Sequence, residues 1–211
     1  MGSTPKRIGA ETSKTRDVLL DCVEQLMLEE GYAAVSFRAV AARAGVTPSL
    51  VQYYFETLDG IFVAAIRRYS DRNVAHLSDA LREHSAEPLR VLWKYSWGEA
   101  ESALTTEFMA LGNHRKSIRT EIADVTERVR KLELEALATR FGGAAPLPEF
   151  SVSLGALLLL ITGLPKLLKL ESGVGIKTAH HEVVATVEQY LDSVEPQSKS
   201  KKRSPSTRNK R

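Results

Sequence analysis

Cysteine is nearly missing from this chain: Cys22 is the only one, so no internal disulfide can form. A disulfide-stapled scaffold is thereby excluded, and a reducing compartment, the cytoplasm, is expected. Signatures of catalysis and metal binding are missing as well. The 211 residues contain no C-x-x-C, no H-E-x-x-H and no G-x-S-x-G. The pair His180-His181 does not replace them, because adjacent helix positions point about 100° apart and no third ligand is spaced to join. The segment from Gly173 to Thr178 has two glycines but lacks the strand and the adjacent Gly-Lys-Ser/Thr of a phosphate loop. No enzyme activity, metal or cofactor is expected. Long hydrophobic runs are absent too. The longest uncharged stretch, Phe150 to Pro165, has sixteen residues and is interrupted by Gly155 and Gly163. That is short for a bilayer span and suits a buried helix. No apolar segment follows the basic start, so no secretory signal is expected.

What is present begins with charge. The net value is only +3, but it is unevenly distributed. Residues 1–16 carry Lys6, Arg7, Lys14 and Arg16 against Glu11, and residues 196–211 carry seven bases and no acid. Between them lies a body with a net charge of −7. The sequence pI near 9.0 therefore describes two basic ends on an acidic body. Such a surface does not bind polyanions broadly, although its ends can anchor one.

Hydrophobic spacing is helical almost throughout, and no segment alternates like a strand. In 12–30, Leu19, Cys22, Val23, Leu26 and Met27 share one face, and Gly31 ends the helix. Short helices fit 37–43 and 48–54, the second opened by Thr47-Pro48 as an N-cap with proline in first position. A long helix follows from 58 to about 83, then one starting at Pro88, an amphipathic one over 115–140, an apolar one over 149–170 and a last one over 177–194. The expected fold is all-α with about nine helices. It divides into a basic flexible arm (1–11), a three-helix unit (12–57), a larger helical domain (58–194) and a disordered basic tail (195–211).

The informative stretch is 36–55, SFRAVAARAGVTPSLVQYYF. Two helices that cross steeply through a three-residue turn need a small residue at the crossing, here Ala41, and a left-handed residue in the turn, here Gly45. Val40, Ala44, Val46, Val51 and Tyr54 fall where apolar wedges are required. This is the spacing of a helix-turn-helix, whose second helix presents its first residues to the DNA major groove. An αα-corner without function has similar spacing, and the pattern alone leaves both readings open.

The flanking residues add a resemblance. Residues 15–62 resemble, without a gap, the N-terminal domain of the tetracycline-repressor (TetR) family. The match rests on Thr15-Arg16, Leu19-Leu20, Leu26, Gly31-Tyr32, Ser36, Arg38, Ala41, Ala44-Gly45-Val46, Tyr54-Phe55 and Ile61. It covers about a quarter of the chain. The resemblance implies a homodimeric transcriptional regulator, usually a repressor released from a palindromic DNA operator by a small molecule. By position, Thr47, Pro48, Ser49, Gln52 and Tyr53 would face the DNA, and Ser36, Arg38, Tyr54 and Thr57 would lie near phosphates. Tyr54 equally suits a core wedge. Gln52 can pair bidentately with adenine, and hydroxyls at helix starts suit phosphate oxygens. Two positions depart from the family pattern: Gln52 stands where a tyrosine is usual, and Leu58 where a phosphate-binding lysine is usual. Backbone anchoring is then expected to shift to Lys14, Arg16 and the arm.

The remaining three quarters match the family only in length and helix count. Candidates for an apolar effector pocket are Trp93, Trp97, Phe108, Met109, Phe141, Leu157 and Leu164, with Asn113 and His114 as polar handles at a helix break. The segments 149–170 and 177–194 are apolar on more than one face and are expected to pair two copies as a homodimer. The alternative is a ligand-independent DNA-binding or adaptor protein whose C-terminal domain only dimerises.

Overall fold

The computed structural model describes residues 5–101, 103–147 and 152–196. Among the described residues there are nine α-helices, one 3-10 turn and no strand. The first helix, α1 (Pro5–Glu30), ends at Gly31, whose φ of 81° a side chain would oppose. The 3-10 turn Tyr32–Ala34 leads into α2 (Phe37–Ala44) and α3 (Pro48–Tyr54). Then follow α4 (Leu58–Glu83), α5 (Pro88–Glu101), α6 (Ala103–His114), α7 (Lys116–Phe141), α8 (Leu154–Gly173) and α9 (His180–Val194).

The helix order matches the expectation from spacing, with three corrections at the boundaries. First, α1 begins at Pro5, so residues 5–11 of the expected flexible arm are helical backbone. The physical reason is local: proline suits a first helical turn, and Ala10, Glu11, Lys6 and Arg7 are good helix formers. Second, α8 begins at Leu154 rather than near 149, because Ser153 caps it by accepting the Ala156 N–H at 3.1 Å. Third, Glu195 belongs to the fold rather than to the tail. Its side chain is 2% exposed, and its carboxylate accepts the Leu89 and Arg90 N–H groups at 2.9 and 2.8 Å. These are unpaired donors at the start of α5, where a carboxylate also meets the positive end of the helix dipole. Residues 197–211, the rest of the expected tail, lie outside the described residues.

Two apolar cores organise the helices, and they do not divide the chain at residue 57. The first joins α1, α2 and α3 to the first half of α4 through Ile61, Phe62 and Ile66, and to α6 and α7 through Phe108, Leu111, Ile118 and Val125. The second joins Leu77 and Leu81 of α4 to Leu92 and Trp93 of α5, Leu137 of α7, Leu158 and Ile161 of α8 and Leu191 of α9. Both α4 and α7 have 26 residues, or roughly 39 Å of helix at 1.5 Å per residue, and each passes through both cores. A two-pronged pair from Arg67 to Glu121 at 2.8 and 2.7 Å ties them together at one level. No helix among the described residues is long and apolar enough to cross a membrane.

Candidate nucleic-acid interface and interior cavity

The steep turn between α2 and α3 forms as its residues require. Val40 and Ala41 of α2 and Val51 of α3 are buried in the first core. Gly45 takes the left-handed conformation (φ 67°, ψ 32°), and the Val46 N–H returns to the Ala41 carbonyl at 3.0 Å. This closes α2 and redirects the chain into α3. Thr47 is the N-cap residue of α3 and Pro48 its first residue, and Phe55 ends it by entering the core.

With its apolar residues turned inward, α3 presents polar ones outward. Thr47, Pro48, Ser49, Gln52 and Tyr53 are all exposed, Tyr53 to 76%. Positions 49, 52 and 53 are spaced three and four apart and so share one face of the helix. The Thr47 and Ser49 hydroxyls lie 3.1 Å from each other. Tyr54 turns partly inward against the first core and meets Tyr53 edge to face at 5.3 Å. Flanking α3, Ser36 caps α2 by accepting the Ala39 N–H at 3.1 Å, and Thr57 caps α4 by accepting the Gly60 N–H at 3.0 Å. Each hydroxyl still has its own O–H to donate, as a phosphate oxygen would require.

Positive charge around this face is sparse. Arg43 is engaged by Glu29 at 2.6 Å and Glu30 at 3.4 Å. Arg38 is exposed and makes no ion pair among the described residues. Arg16 lies over the Phe55 ring at 5.2 Å, which holds its guanidinium beside the end of α3, and Lys14 is exposed. Leu58 packs against the first core. The next residue, Asp59, accepts hydrogen bonds from Ser117 at 2.5 Å and from Arg115, and both hold its carboxyl below the usual carboxylate range. The start of α4 is thus tied to the start of α7. A second tie joins the Tyr32 N–H to the Glu107 carboxylate of α6 at 2.8 Å.

Where the two cores meet they leave a partly open cavity of about 250 Å³ lined by α4, α5, α6, α7 and α8. Ile66, Phe108, Ile122, Val125 and Leu159 form apolar walls. Ser70, Glu99, Glu133 and Lys166 also line it, each from a different helix. Lys166 pairs with Glu99 at 3.2 Å, and the Tyr95 hydroxyl donates to the same Glu99 at 3.4 Å. Burial, with the Glu99 charge next in weight, pushes the Tyr95 hydroxyl far above its ordinary range. Burial also pushes Glu133 up to about 7, against the pull of Lys166 and Arg130 and with a smaller push from Glu99.

Of the expected pocket residues, Phe108 and Met109 line this cavity. Trp93 and Trp97 meet edge to face at 5.6 Å and line a separate groove against α9. Leu157, Leu164 and Phe141 belong to the second core. Asn113 is exposed at the end of α6, and the His114 ring lies 6.3 Å from that of Tyr32. His180 of the rejected metal pair is bonded to Glu171 at 2.7 Å. Sequence reasoning missed Ser70, Glu99, Glu133 and Lys166. A signal for one of them existed: Val125, Val129, Glu133 and Leu137 recur every four residues, so an acid interrupts an apolar stripe of α7.

Comparison with known proteins gives matching results. Residues 19–65 match the family model described as bacterial regulatory proteins, tetR family. The chain is 28% identical over 141 residues to the HTH-type transcriptional repressor BepR of Brucella suis biovar 1 (strain 1330), covering 65% of this chain and 68% of that protein. It is 28% identical over 131 residues to the HTH-type transcriptional regulator AcrR of Shigella flexneri, covering 60% of each. Among solved structures, a putative TetR-family transcriptional regulator from Rhodococcus sp. superposes with a TM-score of 0.67 at 20% identity, over 86% of this chain and 99% of that one. The reduced form of NemR from E. coli superposes with a TM-score of 0.67 at 16% identity, over 87% of this chain and 100% of that one. These two superpositions bear on the fold alone.

Proposed function

Because this chain belongs to the TetR family of bacterial regulatory proteins, we propose that it is a dimeric cytoplasmic repressor, released from a palindromic operator by a small, largely apolar effector. The observation that carries the reading is the outer face of α3, where Ser49, Gln52 and Tyr53 stand exposed on a helix anchored from behind by Val51 and Phe55. Short polar side chains on a rigidly held helix read base edges in the major groove. In this reading Gln52 pairs with an adenine, Thr47, Pro48, Ser49 and Tyr53 complete the base-facing surface, and Ser36, Arg38, Tyr54 and Thr57 meet the backbone. Lys14 and Arg16 supply the charge that Leu58 does not.

Two further features support the rest of the proposal. Leu159, Leu160, Leu167 and Leu170 of α8 are each about half exposed. A second copy of α8 and α9 would remove this stripe from water, with the largest gain for an apolar surface. The cavity between the cores opens the effector reading, because α4, α6 and α7 wall it and also carry the ties to Tyr32 and Asp59. A ligand seated there changes the packing of the helices that hold the α3 unit in place.

The test is in vitro selection of bound DNA duplexes by the full-length protein. The expected product is an inverted repeat with half-sites about one helical turn apart, bound by two chains. Enrichment of a single asymmetric site, or of none, would overturn the dimeric reading.

A further inference from the structure

The charge inside the cavity is oddly distributed, and this indicates what the cavity holds. Glu133 is 5% exposed and forms no hydrogen bond or ion pair with any described residue. The two nearby bases act on it without direct contact: Lys166 is paired with Glu99, and Arg130 makes no ion pair with Glu133. Ser70 of α4 lines the same cavity, is 6% exposed, and its Oγ has no hydrogen-bond partner. Glu133, a buried residue whose carboxylate bonds to no described residue, and the unpartnered Ser70 Oγ thus both border a space large enough for a small molecule. Such groups are costly to bury unless something completes them.

We propose that this cavity binds an organic cation, an amine on a compact apolar skeleton, with the Glu133 carboxylate as counter-ion and Ser70 Oγ accepting a second N–H. The proposal rests on the effector reading above and names the chemistry of that effector. An ammonium gives Glu133 the charge-assisted hydrogen bonds it lacks. Tyr69 and Phe108, edge to face at 5.8 Å, offer aromatic surface to the cation and its skeleton. An anionic ligand would face both Glu133 and Glu99, and a wholly apolar one would leave Glu133 and Ser70 as they are. The ionisable groups around Glu133 are Tyr69 on α4, Tyr95 and Glu99 on α5, Arg130 on α7 and Lys166 on α8. Since Glu133 titrates near 7, it is mostly charged at pH 8 and mostly neutral at pH 6. Amine affinity therefore falls about tenfold between these values while the amine itself stays protonated.

The experiment uses three probes with one skeleton, 4-phenylbutylamine, 4-phenylbutan-1-ol and 4-phenylbutanoate, titrated calorimetrically into the full-length protein at pH 8 and pH 6. The amine is expected to bind at least tenfold more tightly than the other two at pH 8. Glu133→Gln should remove that preference while leaving alcohol affinity unchanged, and Ser70→Ala should weaken amine binding by a smaller factor. Unfolding midpoints of both variants check that each is folded, and the pH series on the unaltered protein needs no variant. Equal binding of amine and alcohol, tightest binding of the carboxylate, no binding of any probe, or a preference that survives Glu133→Gln would each overturn the proposal. Adding the probes to the complex with the selected duplex separates the two readings. A Glu133-dependent amine preference that leaves DNA binding unmoved would support the cation site and sink the effector role. DNA release by the alcohol as readily as by the amine would sink the cation site and support the effector role.

Discussion

Around α3, polar side chains face water and apolar ones are buried behind them; along the seam between the cores, polar side chains face inward. The first arrangement costs the fold little, because Gln52 and Tyr53 stay solvated in the folded chain. The second has a standing cost, because burial works against the Glu133 charge and Ser70 Oγ is buried without a partner. A surface that reads a ligand can therefore be altered independently of stability, whereas an interior that reads one cannot. The two regions still share a foundation. Phe62 packs in the first core beneath the α3 unit, and Ile66, one turn along the same helix, already lines the cavity.

The largest expected effect removes that shared foundation. Phe62→Ala should cost about 3–5 kcal/mol, measured by urea unfolding, and should weaken both DNA and ligand binding. If ligand binding fell and the selected duplex were still held at full affinity, the two regions would be more separate than their common core implies. The next effect is confined to the seam. Glu133 titrates near 7, above the ordinary range of a glutamate, so the folded protein holds more protons than the unfolded chain between those pH values. Stability is then lost as pH rises toward 7 and beyond. Glu133→Gln should stabilise the protein at pH 8, on the order of 2–3 kcal/mol, and the gain should vanish near pH 4. An equal gain at both pH values would mean that charge burial is not its source. The smallest effect is confined to the reading face. Gln52→Ala should weaken binding to the selected site by about 1–3 kcal/mol, read by fluorescence anisotropy, without moving the unfolding midpoint. A shift in that midpoint would show that Gln52 supports the fold as well as facing DNA.

The same contrast explains what could be read from residues alone. The turn at Gly45 is specified within twenty residues: Ala41, Gly45, Val46 and Val51 sit at fixed offsets, and the structure realises them as spaced. Helix interiors were legible for the same reason, since each carries its own period. Helix ends were less so: α1 extends to Pro5 because nothing near residue 11 stops it. The cavity lies at the other extreme. Ser70, Glu99, Glu133 and Lys166 are spread over almost a hundred positions and meet only when four helices pack. Bulk was a poor guide there, because Trp93 and Trp97 are as well used against α9 as in a pocket. The better guide was the acid at Glu133 within an apolar stripe.

The clasp made by Glu195 has a consequence for the seven basic residues that follow it. It fixes their tether at the start of α5, beyond the end of α4, whereas the reading helix sits before its start. Along α4 these two poles are roughly 39 Å apart. The seven bases after Glu195 are thus joined to the fold at the pole of α4 opposite α3, so that charge and the outer face of α3 enter the molecule from opposite ends.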